Sequence, residues 1–374
     1  MDKTDPIFEL KRLGQSVWLD QIDREMIRSG QLERLRKAGV TGVTANPTIF
    51  ARALDSSAAY SDDVQRRLAA RQSPESIVWD LLIEDVQAAA DIFRPVFDRE
   101  RGRDGFVSIE VSPEIAGDTE RTIAAARDLR QRTGRPNVMV KIPATPAGLP
   151  AIQAMVAEGA NINVTLIFGV ERYAKVVEAY FAGLEELRQK GGDISQVHSV
   201  ASFFVSRVDT RVDAQLTALM ERADGERRRE LQALLGKAAI ANSKVAYEIF
   251  GQLHSGSRWD QLGEAGASVQ RCLWASTSTK NPRYRDTLYV EELIGPATVN
   301  TMPVQTLEAF RNHGRVALTL QQDIDGARRV LAQLAVAGID LAAVTQELED
   351  EGVAGFAKSF RESIEQLGKV RAGR

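Results

Sequence analysis

The sequence predicts an α/β protein whose eight strands close into a (β/α)8, or TIM, barrel, with extra helices after strand six and at the C-terminus. Three observations predict it. Short apolar segments rich in β-branched residues recur at 17–20, 42–48, 106–111, 138–145, 162–168, 200–208, 271–276 and 298–302, separated by longer helical patterns. Strands that alternate with helices build parallel sheets from βα units. The first segment runs into Asp20-Gln21-Ile22-Asp23-Arg24, where an open doubly wound sheet usually carries a glycine-rich phosphate loop. Finally, 374 residues, 44% of them hydrophobic, suit one barrel domain over residues 1–374.

The connecting segments carry helix punctuation. Ser73-Pro74-Glu75 offers an N-cap, a proline at the first helical position and a carboxylate near the positive end of the dipole. Leu149, Ile152 and Val156 share a helical stripe that Gly159 can end in left-handed geometry. The stretch at about 209–266 is long for one βα connection and reads as a helical insertion. Its mixed-sign run at 221–230 forms a solvated face with a turn at Gly225. At the C-terminus, Phe356, Phe360, Ile364 and Leu367 recur at helical spacing and are expected to pack against the body.

Composition narrows the function classes. A net charge of −3 with 26% charged residues argues against a nucleic-acid partner, while leaving room for a small anion in a local cationic pocket. No apolar run approaches the ~20 residues of a membrane span, and residues 1–6 lack the apolar core of a signal peptide. The expected compartment is therefore cytoplasmic. The single cysteine, Cys272, sits in an apolar run and reads as an inert buried thiol. His198, His254 and His313 are scattered and form no ligand motif, so neither metal nor cofactor is expected. Monomer and homodimer both remain open.

Alternation inside the strands is the most informative pattern, because successive strand residues face opposite ways. Val107, Ile109 and Val111 oppose Ser108 and Glu110. Val138, Val140 and Ile142 oppose Met139 and Lys141. Ile162, Val164, Leu166 and Phe168 oppose Asn163 and Thr165, Val43 opposes Thr44 and Asn46, and Val17 and Leu19 oppose Asp20. With the apolar set turned to the helix ring, Asp20, Asn46, Glu110, Lys141, Asn163 and Thr165 converge inside the barrel. Barrel interiors are normally filled with branched apolar residues, and active sites lie at the strand C-terminal ends. The pattern predicts a site there. Alternatives stand beside it: a structural Lys141–Glu110 ion pair, a helix N-cap at Asp20, and a turn residue before Pro47 at Asn46.

The motifs resemble those of transaldolases. Val138-Met139-Val140-Lys141-Ile142-Pro143-Ala144-Thr145 is similar to that family's Schiff-base strand. Thr41-Gly42-Val43-Thr44-Ala45-Asn46-Pro47-Thr48-Ile49-Phe50 is similar to its signature on strand two. Ser108-Ile109-Glu110-Val111, the run from Ile162 to Phe168, Ser202-Phe203-Phe204-Val205-Ser206-Arg207-Val208, and Thr298-Val299-Asn300-Thr301-Met302-Pro303 follow in the family's order. The length resembles the larger bacterial forms, including those of actinobacteria.

The resemblance implies sugar-phosphate substrates and transfer of a dihydroxyacetone unit from sedoheptulose 7-phosphate to glyceraldehyde 3-phosphate, within the non-oxidative pentose phosphate pathway. It implies Lys141 as the Schiff-base lysine, Glu110 with Thr165 as a proton shuttle through water, and Asp20 as the acid/base at the C4 hydroxyl. Asn46 and Asn163 would hold the three-carbon unit. Ser202 and Arg207 would take the phosphate, Ser276 would contribute from strand seven, and Lys280 or Arg283 would replace the arginine that many relatives carry where Ser278 stands. Amine attack needs an uncharged lysine, and an ordinary lysine, with a pKa of about 10.4, is almost wholly protonated at neutral pH. Desolvation inside a barrel works toward the uncharged form. Small fructose 6-phosphate aldolases, which release dihydroxyacetone to water, resemble this family but generally carry glutamine at the strand-three position, where this chain has Glu110.

Overall fold

A computed structural model of the chain describes residues 5–45, 50, 53, 54 and 57–372, with side chains as far as Lys369. The eight strands are β1 (Gln15–Leu19), β2 (Gly42–Thr44), β3 (Val107–Glu110), β4 (Val138–Pro143), β5 (Ile162–Ile167), β6 (Ser199–Phe204), β7 (Arg271–Ala275) and β8 (Thr298–Met302). They close in sequence order, with β1 paired to β8 and the neighbouring pairs parallel. This is the (β/α)8 barrel that the alternation predicts.

Register carries the site. Glu110 on β3 pairs laterally with Lys141 on β4, and Lys141 pairs with Asn163 on β5. In a parallel sheet, lateral partners point the same way, so three polar side chains from consecutive strands share one level of the interior. The residues alternating with them, Ile109, Val140, Ile142, Ile162 and Val164, are buried with the helix ring.

The helix ends follow the local code. Ser73 accepts from the Ser76 N–H at 3.2 Å and caps the helix Pro74–Arg99, and Gly159 takes φ +73° just after the helix Gly148–Ala157. After β6 come the helices Ser206–Glu221, Gly225–Gln232, Ala238–Leu253 and Ser257–Glu264. Gly225 opens the second of these behind an Asp224 cap. The helix Leu341–Ala372 packs near the helix Pro74–Arg99 and β5.

Three expectations need correcting. β6 ends at Phe204, not at 208, because Val205 and Ser206 donate their N–H groups to Ala275 and Ser276 and the Val208 N–H then turns back to the Val205 carbonyl. Arg207 therefore lies in a first helical turn. The buried spacing Val205, Val208, Val212, Leu216 is helical and marks the switch. On β5 the register shifts between Val164 and Ile167, with Leu166 at φ +58°. That bulge interrupts the simple alternation and leaves Leu166 against Gly352 of the C-terminal helix, where an added β-carbon would sit 2.8 Å from Leu166 Cδ2. Finally, β2 ends at Thr44, and the rest of the segment expected there, 46–48 with Asn46, lies outside the described residues.

At the opposite, N-terminal end of the barrel, Trp18 lies against Gly42, whose notional β-carbon would come within 2.6 Å of the indole. Gly42→Ala is expected to cost about 1–3 kcal/mol through overpacking, read as a lower urea midpoint with an unchanged m-value.

Candidate active site

A cavity of about 430 Å³ opens at the C-terminal ends of the strands, where barrel enzymes keep their chemistry. Asp20, Lys141, Thr165, Ser202, Arg207, Ser276, Lys280 and Phe356 contribute to its wall. Sequence reasoning thus brings seven of these to one place, and Phe356 joins them from the C-terminal helix.

Lys141 is buried, and its Nζ donates to Glu110 Oε2 at 2.8 Å. Burial pushes the Glu110 carboxyl above its usual range, and the Lys141 charge opposes this without cancelling it. A carboxyl whose proton affinity burial raises, in direct contact with an amine, is placed to exchange a proton with it. Glu110 stands behind the amine and not on the main cavity wall. In the structure the carboxyl and the amine are in direct contact. Phe356 covers the amine from above, its ring centroid 5.7 Å from Nζ, a cation–π distance when the amine is charged.

Asp20 follows the last residue of β1, its N–H donating to the Met302 carbonyl at 3.2 Å. It caps no helix: Asp23 does, accepting from the Met26 N–H at 2.8 Å. Burial raises the Asp20 carboxyl to about 6, against the pull of Lys280 and Lys141. Asp20 Oδ1, Glu110 Oε1 and Thr165 Oγ1 are buried with no hydrogen-bond partner among the described residues. Buried polar atoms are normally bonded, so this concentration of unbonded oxygens on and behind the cavity wall marks a place where a ligand's hydroxyls belong.

Asn163 is not on the wall. It is fully buried, its amide donates to Ser108 Oγ at 3.0 Å, and its carbonyl accepts from Ser202 Oγ at 2.7 Å. Each end of the amide is engaged by one of these serines.

The rim is cationic. Arg207 makes no hydrogen bond or ion pair among the described residues, and its guanidinium lies 5.4 Å from the Phe204 ring. Lys280 Nζ donates to Ser278 Oγ at 2.7 Å. Ser276, at φ +56°, bonds Ser206 hydroxyl to hydroxyl at 3.0 Å and so ties the β7 loop to the helix that bears Arg207. Arg283 does not contribute to the wall. Reading residues for chemistry missed Thr44 and Thr301, whose hydroxyls lie 3.3 Å apart. Their inward alternation on β2 and β8 was the available signal. Phe356 gave only the signal of a packed apolar stripe.

Among the described residues, no group of three or more His, Cys, Asp or Glu is arranged to hold a metal, and no helix is long and apolar enough to cross a membrane.

Residues 17–367 match the family model described as "Transaldolase/Fructose-6-phosphate aldolase". The chain belongs to that family. It is 48% identical over 370 residues to a protein named "Transaldolase" from Thermobifida fusca (strain YX), covering 98% of both chains. It is 48% identical over 371 residues to a "Transaldolase" from Parafrankia sp. (strain EAN1pec), covering 98% of this chain and 99% of that one. A "Transaldolase 2" from Nostoc sp. is 43% identical over 371 residues, with 98% and 97% covered. The residues set out above lie within the matched segment.

The raised Asp20 carboxyl has a consequence for stability. Its folded-state pKa of about 6 exceeds the ordinary 3.8, so its cost is absent below about pH 4 and complete above about pH 6. Asp20→Asn should therefore stabilise the protein near pH 8 by on the order of 1–2 kcal/mol, discounted for the open cavity side. In thermal melts across pH, that advantage should vanish as the pH falls to 4.

Proposed function

We propose that this chain is a transaldolase that carries a dihydroxyacetone unit from sedoheptulose 7-phosphate to glyceraldehyde 3-phosphate through a Schiff base on Lys141. The products are erythrose 4-phosphate and fructose 6-phosphate. The reading assigns residues 1–374 to one catalytic domain, working in the cytoplasm in the non-oxidative pentose phosphate pathway. The observation that carries it is the buried Lys141–Glu110 contact of 2.8 Å beneath a cavity rimmed by Arg207 and Lys280.

The chemistry follows from the two raised carboxyls. With the shared proton on Glu110, Lys141 Nζ attacks the donor's C2 carbonyl, forming a carbinolamine. Glu110 then protonates the departing hydroxyl, which leaves as water, and a protonated imine remains beside the Glu110 carboxylate. Asp20 removes the C4 hydroxyl proton, the C3–C4 bond breaks, and its electron pair flows into the protonated imine. Erythrose 4-phosphate departs, and an enamine stays bound to Lys141. That enamine attacks C1 of glyceraldehyde 3-phosphate, Asp20 returns its proton to the new alkoxide, and hydrolysis frees Lys141. Each carboxyl has one task, and each pKa is shifted to suit it. Thr165 and Ser202 offer hydroxyls to the three-carbon unit, with Asn163 orienting Ser202. Asn46, carried over from the resemblance, belongs to the same group. Arg207 suits a phosphate through paired donors, with Lys280 and Ser276 beside it.

Borohydride reduction in the presence of fructose 6-phosphate should leave a dihydroxyacetone-derived adduct on the peptide containing Lys141 and none on Lys141→Ala. An adduct confined to another lysine overturns the assignment. Release of free dihydroxyacetone at the same rate with and without glyceraldehyde 3-phosphate would identify an aldolase instead.

Glu110→Gln should lower kcat by about 10²–10⁴-fold, the usual worth of a general acid/base. In the wild type, kcat/KM should rise with pH through an acid limb near the Asp20 value of about 6. That limb should disappear from the residual activity of Asp20→Asn.

A further inference from the structure

A second cavity of about 430 Å³ lies at the other end of the barrel, where the strands begin. Phe106, just before β3, and Met139 of β4 line its floor. His198 and Ser199 come from the start of β6, Arg271 from the start of β7, and Arg103 from the turn before β3. Nothing in the proposed chemistry uses it.

The polar groups here differ from those that merely plug a barrel. Arg271 is partly engaged: Nη1 donates to Ser16 Oγ at 2.9 Å, and Nη2 lies 3.7 Å from Asp104. Asp104 is itself taken up by Ser16 Oγ at 2.6 Å, Trp18 Nε1 at 2.9 Å and the Gly105 N–H at 3.0 Å. One carboxylate therefore stands against two guanidiniums, because the Arg103 side chain has no hydrogen bond or ion pair among the described residues. His198 is 8% exposed and rests on the Phe106 ring at 5.6 Å. Neither of its ring nitrogens has a hydrogen bond among the described residues. The imidazole and the exposed Arg103 guanidinium thus have donors free to meet a ligand that enters the cavity.

We infer that this second cavity binds a small phosphate-bearing anion. Arg103 presents forked donors matched to a tetrahedral oxyanion, Arg271, partly engaged by Ser16 and Asp104, adds positive charge, and His198 adds a neutral donor from the wall. The volume falls within the range of small-molecule sites, and the apolar floor of Phe106 and Met139 suits the carbon skeleton of a phosphate ester. Burial, with Arg271 and Arg103 nearby, pushes the His198 ring down to about 4. The ring is thus uncharged at neutral pH and supplies one hydrogen-bond donor. The assignment does not depend on the reaction at Lys141.

Histidine ring resonances of ¹⁵N-labelled protein test it directly, because the chain has only three histidines and His198→Asn identifies the relevant signal. Inorganic phosphate is the probe, with sodium chloride at matched ionic strength as control. The expected result is a saturable shift of the His198 signal that persists in Arg207→Gln. In Arg103→Gln, with unchanged circular dichroism, binding should weaken about tenfold, the loss of one charge-assisted hydrogen bond. The proposal is overturned by the absence of a saturable shift, by an equal shift with chloride, by loss of the shift in Arg207→Gln, or by undiminished binding in Arg103→Gln.

Discussion

One contact organises the upper half of the barrel: an amine and a carboxyl, both buried, 2.8 Å apart on neighbouring strands. An ion pair removed from water recovers its desolvation cost only with excellent geometry and further hydrogen bonds. Here Glu110 Oε1 receives none, and burial raises the carboxyl toward its protonated form. In the proposed reaction, a carboxyl raised in this way can pass a proton to and from the neighbouring amine. The parallel register of β3 and β4 fixes the spacing, so a one-residue slip of either strand would turn one partner out of the barrel.

The same chain contains a buried charge cluster of the opposite kind. Arg24 donates to Asp85 at 2.7 Å, to Asp63 at 2.5 Å and to Glu84 at 3.0 Å, while Tyr60 donates to Asp85 at 2.6 Å. Its acids are shared among strong donors, so the cluster reads as a brace between the helices Arg24–Arg28 and Pro74–Arg99. Some other buried side chains with one unbonded atom, such as Asn137, have their amide nitrogen bonded to backbone carbonyls, while the Trp274 indole N–H and the Asn300 amide nitrogen have no partner among the described residues. At the strand C-terminal ends, by contrast, the sole hydroxyl of Thr165 and one oxygen each of Asp20 and Glu110 go without.

Period-two alternation on β3, β4 and β5 was enough to bring Glu110, Lys141, Asn163 and Thr165 inward, because strand geometry leaves only two faces. It did not reveal which of them reaches open space. Asn163 occupies the level of Lys141, yet Ser108 and Ser202 take up its amide, a contact between strands that no single segment encodes. The end of β6 was misread because an apolar run fits strand and helix alike until its spacing changes at Val205. Phe356 is the clearest case of information that local pattern lacks. Its role depends on how a helix more than 200 residues downstream of Lys141 in the sequence folds back over the barrel mouth.

That return is built in as much as the pair is. The β5 bulge presents Leu166 to the C-terminal helix, and Gly352, lacking a side chain, lets the helix approach closely. Arg172 donates to Glu349 at 2.9 Å, and Arg211 to Glu347 and Glu351, each at 2.6 Å, across the same contact. Phe360 packs on Trp79 at 5.2 Å, leaving Phe356 over the amine. In the proposed cycle, an enamine held on Lys141 would face two electrophiles, a proton that ends in release and an aldehyde that ends in transfer. An aromatic ring over Nζ keeps bulk water from the nitrogen while the cavity beside it stays wide enough for a sugar phosphate. Covering the amine, and in the proposed cycle excluding solvent from its enamine, would thus both fall to a single element, one that lies outside the eight-strand repeat.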